Sequence, residues 1–278
     1  LLRSGTIVAA LVTLGAGPAV RAAPTLDIRG AAVRIVIVPE VRRDIAITVV
    51  KASVRLPIKI HTFGKNTFIT GDVGHRVRGC PLAHGARTIQ VRGRDAVTYD
   101  DLPLLIARMP MDVRVNAAEA IFGDVGRGAN LDLTNRGCGH WTIANVAGRA
   151  RINQAGSGVI HAGGAGEADL SVAGSGDIHL QAVRGGVTAV SSEAGDIDVA
   201  SLQGPLNIHI AGSGRVHVAD GVATQMTASI AGSGGVDFGG AARSLHASIA
   251  GSGGVRVARV DGPVIKHVFG AGEVTIGR

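Results

Sequence analysis

The sequence predicts an all-β parallel β-helix, a solenoid of stacked coils. A glycine turn that recurs at nearly fixed spacing is the first observation behind this. It appears as Gly156-Ser157-Gly158, Gly174-Ser175-Gly176, Ala194-Gly195, Gly212-Ser213-Gly214, Gly232-Ser233-Gly234, Gly251-Ser252-Gly253 and Ala271-Gly272. From Gly158 the steps between the last glycines are 18, 19, 19, 20, 19 and 19 residues, and Gly139 lies 19 before Gly158. A period near 20 residues marks a chain whose units each cover their neighbour. The second observation is alternation after each turn. Ile160, Ile178, Ile197, Val216, Val236 and Val255 stand two residues after the glycine. Ala162, Leu180, Val199, Val218, Phe238 and Val257 stand four after it, with polar residues between. Period two with one apolar side is a strand with one buried face. Composition is the third: 42 glycines among 278 residues and only 3% aromatics suit a narrow aliphatic interior. Helix is nearly excluded, because each glycine in a helix costs about 1 kcal/mol against alanine.

Residues 1–22 read as a secretory signal peptide, with Arg3 before an apolar run, Thr6–Val20, and small residues around Ala22-Ala23. The run is too short, and too broken by Gly15, Gly17 and Pro18, to serve as a transmembrane anchor. The chain is therefore expected outside the cytoplasm, in the periplasm or at the cell surface. That placement makes nucleic acid an improbable partner.

Residues 23–103 read as an N-terminal β region: a cap, or irregular first coils. Val33–Val38 and Ile45–Val50 are expected as a pair of strands. Ile58–Thr62 and Thr67–Thr70 around Gly64-Lys65-Asn66 are expected as a hairpin. A solenoid end needs such cover, because open strand edges aggregate. Cys80 and Cys138, the only two cysteines of an exported chain, are expected to form one disulfide tying this region to the repeats.

Residues 104–278 hold the solenoid. A second strand precedes each turn, with Leu170 and Val172, Ile208 and Ile210, Ala228 and Ile230, and Ala247 and Ile249 on its apolar side. Turn signals such as Gln203-Gly204-Pro205, each with one more apolar residue (Val183, Leu202, Val260), allow a short third face. Equivalent strands should stack in register and in parallel, so that seven or eight coils make a rod about 35 Å long. The crossover rule favours a right-handed coil.

The turn typified by Gly174-Ser175-Gly176-Asp177-Ile178 resembles that of the GIN-domain family, named for auto-transporter adhesin heads. The resemblance runs over about residues 104–277, from the Met109-Pro110 approach to the closing Gly262-Pro263-Val264 and Gly270-Ala271-Gly272. It implies a bacterial exported β-helical protein of the cell envelope. Asp124, Asp177 and Asp196 fit the aspartate after the turn, whereas Val159, Arg215, Gly235, Gly254 and Glu273 depart from it. An aspartate ladder is thus not required of this chain.

Chemistry is sparse. Between the inward residues lies an outward column, His161, His179, Asp198, His217, Asp237 and Arg256, spaced about 5 Å apart if the coils stack. Such a ladder is a candidate binding surface. Read more sharply, it is a transition-metal site or the catalytic face of a glycan-active enzyme, a polysaccharide lyase or hydrolase; read blandly, it is the solvated side of the strand. The turns lack the Lys-Ser/Thr of phosphate loops, and a period of 19 is unlike nine-residue calcium repeats. The expectation is a non-enzymatic structural or adhesive module with no catalytic residue, no metal and no cofactor. Charge divides unevenly, +9 over residues 1–115 and −2 over 116–278. Arg42, Arg43, Lys51, Arg55, Lys59, Lys65, Arg76 and Arg78 could thus face anionic envelope glycans or other surface components.

Overall fold

The structure, a computed structural model, describes residues 23–83 and 86–277. The expected signal peptide lies outside the described residues. The chain is a β-solenoid of about nine coils of some 19 residues each. Helical structure among the described residues is confined to two 3₁₀ turns, Gly74–Arg76 and Tyr99–Asp101.

Two parallel ladders run the length of the rod. One stacks the strands that precede the turns: Asn130–Gly137, Arg149–Gln154, Glu167–Gly174 and Val187–Glu193, continuing to Leu245–Gly251 and Val264–Gly270. The other stacks those that follow: His140–Ile143, Val159–Ala162 and Asp177–Val183, continuing to Gly254–Val260 and Glu273–Ile276. Ladder neighbours are one coil apart and parallel, so the hydrogen-bonded circuit is a helix of strands rather than a barrel. Short bridges Gly128–Val146 and Ala165–Val183, and the pairing of Val183 with Leu202, build the expected third face.

Alternation decides what lies inside. Ile178 pairs with Ile197 and Ile197 with Val216, and all three are fully buried. They belong to one continuous aliphatic core reaching from Leu26 to Val257. Three polar side chains interrupt it in the last inward position before the turn. Asn135 donates from Nδ2 to Oε1 of Gln154 one coil on, at 2.8 Å. Ser191 donates to the carbonyl of Gly195 at 2.8 Å. A buried polar group must be bonded to be tolerated; stacking supplies the partner for Asn135 and Gln154, and the turn itself supplies it for Ser191.

The first half contains more solenoid than its irregular sequence suggests. Leu26–Arg29 and Ala32–Glu40 form a full coil, parallel to the two halves of Asp112–Val125. Together with Asp112–Val125 it carries the count past seven or eight. The strands expected as a pair do not meet. Leu104–Pro110 lies between them, parallel to Ala32–Glu40 and antiparallel to Ala46–Lys51. Ile35 and Ile37 belong to an inward column, and Leu105 and Ala107 extend it in parallel. The hairpin does form: Ile58–Phe63 against Asn66–Gly71 around Gly64, whose φ is 62°. Both ladders thus end on the amino-terminal side in an antiparallel strand.

A small antiparallel sheet built on Ala86–Val91 completes the cap. It has its own core, including Leu56, Val73, Ile89, Val97, Leu102 and Phe122. The Cys80–Cys138 disulfide is present beside this core, with the two Cα atoms 5.6 Å apart. At the other end no described strand covers the last coil. Val264–Gly270 is exposed throughout, Phe269 at 72%. Lys266 takes the inward position held by Ala247 one coil earlier, and its Nζ donates to the carbonyl of Val274 at 3.1 Å.

Candidate functional site

The six residues of the predicted outward column are brought together. Strand register pairs His161 with His179, His179 with Asp198, Asp198 with His217, His217 with Asp237, and Asp237 with Arg256. Thr142 and Asp124 extend the row towards the cap. Parallel stacking without register slip holds this row straight on the second ladder, and every member is at least partly exposed.

Close neighbours along the row interact. The imidazoles of His161 and His179 stack with ring centroids 4.7 Å apart. His140, two residues before the row member Thr142 in its own strand, leans on His161 at 5.0 Å. Nδ1 of His179 lies 2.9 Å from Oδ2 of Asp198. Burial, the neighbouring imidazole of His179 and the charge of Arg87 push the His161 pKa down. His140 is lowered to about 4, chiefly by burial, then by Arg87 and His161 and, more weakly, His179; Asp124 opposes the shift. At neutral pH the cap end of the row is therefore uncharged imidazole, with both a donor and an acceptor nitrogen. Among the described residues no three of His, Cys, Asp and Glu converge as a metal-holding group.

A cleft opens at each end of the row. At the carboxy-terminal end a space of about 720 Å³ is bounded by His217, Asp237, Phe238, Arg256 and Thr275. At the cap end a space of about 540 Å³ lies between the solenoid residues Phe122, Asp124, His140 and Thr142 and the cap residues Arg87 and Tyr99. Tyr99 is fixed from two sides. Its ring meets Phe122 edge-on at 5.2 Å, and the Arg34 guanidinium lies 4.3 Å from its centroid. The periodic reading missed Arg87, Tyr99 and His140, because two belong to the non-repeating cap and the third faces out two positions before the column.

Three of the eight basic residues from Arg42 to Arg78 are held by groups of the chain itself. Arg42 is held by Glu40 at 2.8 Å and by Asp44 at 3.1 Å. Lys51 donates to the Asp100 carbonyl and Arg76 to that of Asp72.

Comparison with known proteins bears on the repeat region. A family model described as "Putative auto-transporter adhesin, head GIN domain" matches residues 151–259. This stretch is similar to the GIN family. The matched GIN segment holds all six residues of the outward column, and the cap cleft lies outside it. Among curated proteins none matches the sequence. A solved structure of a "putative adhesin" from Bacteroides fragilis is similar at 15% identity, covering 91% of each chain with a TM-score of 0.42. No helix among the described residues is long and apolar enough to cross a membrane.

Proposed function

We propose that the chain is an exported, non-enzymatic binding module that presents its second ladder as an adhesive face for glycans of the cell envelope. The observation that carries this reading is the straight row from Asp124 to Arg256. A repeating row of short polar and charged side chains offers each unit of a repeating polymer a similar set of partners. The GIN match supports a role in adhesion, and the disulfide supports an oxidising compartment. Each single contact is solvent-exposed and weak, so affinity on such a face comes from many contacts made at once.

The test is retention of the full chain on immobilised acidic and neutral envelope polysaccharides, with a salt series. The expected result is retention on at least one of these polymers that is reduced in His179→Ala/Asp198→Ala/His217→Ala. A chain that binds none of them, or a triple variant that binds as well as the parent, overturns the reading. Shortening of the polymer on incubation would replace it with the glycan-active enzyme.

A further inference from the structure

The cap cleft differs from the row it adjoins. Its lining mixes one cation, Arg87, two carboxylates, Asp100 and Asp124, neutral hydrogen-bonding groups and an aromatic ring in a concave space, and Asp100 is paired with Arg34 at 3.5 Å. Among the described residues no carboxylate lies within ion-pair distance of Arg87, in contrast to Arg42 and Arg94. An arginine without a partner beside a cleft is suited to a planar carboxylate, which it can hold through two parallel hydrogen bonds. Thr142 and the exposed Asp124 line the opposite wall with His140. A carboxylate there opposes the doubly charged head of a phosphate monoester more than a single carboxylate, and accepts hydrogen bonds from hydroxyl groups. Tyr99, clamped by Arg34 and Phe122, supplies an apolar surface that needs no rearrangement. A ligand with one carboxylate, several hydroxyls and an apolar ring face satisfies all of these groups, and that description is a uronic acid sugar. About 540 Å³ falls within the range of small-molecule sites.

We propose that this cleft binds the terminal uronate residue of an acidic saccharide, with its carboxylate on Arg87, its ring against Tyr99, and its hydroxyls on Asp124, His140 and Thr142. This assignment rests on the glycan-binding reading and gives it an end: the row would carry the polymer, and the cleft would receive its terminus. The shift of His140 agrees with the placement, because Arg87 is close enough to depress it. A bound carboxylate would neutralise Arg87 and let the His140 value rise.

Short oligomers test the cleft separately from the row. The probe is a trigalacturonate titrated into the full chain by calorimetry, with the His140 ring protons followed by NMR. Saturable one-site binding, a rise in the His140 pKa on saturation, and affinity at least about tenfold weaker in Arg87→Gln are expected. The methyl-esterified trimer serves as a second measurement on the unaltered protein, so a folding defect in the variant does not decide the matter; it should bind far more weakly. The cleft assignment falls if the trimer does not bind, or if acid and ester bind alike. Trimer binding without retention on any polymer would remove the adhesive-face reading and leave the cleft standing; polymer retention without trimer binding would do the reverse.

Discussion

Gly232 and Gly234 flank the same serine, and the solenoid needs each for a different reason. Gly232 has φ 131°, in the region L-residues avoid, as do Gly174, Gly212, Gly251 and Gly270 at the equivalent place. Gly234 has no such backbone, but a Cβ there would stand 2.5 Å from Cγ2 of Ile210 and 2.6 Å from the carbonyl oxygen of Gly214. Its smallness lets one coil lie down on the last. Gly234→Ala should therefore cost about 1–3 kcal/mol in denaturant unfolding through overpacking. Glu193 occupies the first-glycine place with φ 88°. Glu193→Gly should relieve that strain and stabilise by up to about 1 kcal/mol, measured in the same way.

His140 carries the pH dependence at this scale. Its folded pKa of about 4 lies below the ordinary 6.5, so between those values the unfolded chain binds the proton more readily. Its contribution to stability is complete above about pH 6.5, is lost as pH falls towards 4, and loses nothing further below that. The groups facing it are Arg87 from the cap and His161, His179 and Asp124 from the solenoid. In His140→Gln the unfolding free energy should vary less with pH across that window than in the parent; equal slopes would show that burial there does not oppose the charge.

At the scale of elements, the cap and solenoid are joined by a covalent link and a shared apolar cluster. The Cys80–Cys138 bridge closes a loop of 58 residues. In the chain-entropy account its removal costs about 4 kcal/mol. Cys80→Ser/Cys138→Ser should lower the denaturation midpoint and sensitise residues 72–101 to protease before the repeats. The repeats, the hairpin and the disulfide were legible in the sequence because each rests on local or periodic signals: glycine spacing, alternation, a Gly-Lys-Asn turn, two cysteines. The place of Leu104–Pro110 was not. Ala32–Glu40 and Ala46–Lys51 are adjacent in sequence and both alternate, and nothing local says that a strand from sixty residues later slips between them. The row of outward residues was legible for the same periodic reason as the core. The cap cleft was not, since Arg87 and Tyr99 reach His140 only through the fold of a segment with no period.

At the scale of the whole molecule the two ends of the rod are unlike. Antiparallel strands cover the first, while among the described residues nothing covers Val264–Gly270 and Glu273–Ile276 at the second, where Val264, Ile265, Val268 and Phe269 are exposed. Lys266 stands there where an inward apolar residue would continue the core. A charge turned into an otherwise sticky edge is a recognised guard against strand addition. Lys266→Val should increase concentration-dependent association, read by light scattering, without lowering the unfolding midpoint.

Because each coil rests only on the ones beside it, length in this architecture is adjustable in whole units. Cutting out the 19 residues from Asp196 to Gly214 would bring Gly195 to Arg215, leaving every remaining winding with an equivalent floor and ceiling. The protein would be one storey shorter, by about 4.8 Å. A gene encoding such a fold can lengthen or shorten its product by copying or dropping a short in-frame block, and reach is then inherited separately from whatever sits at the capped end.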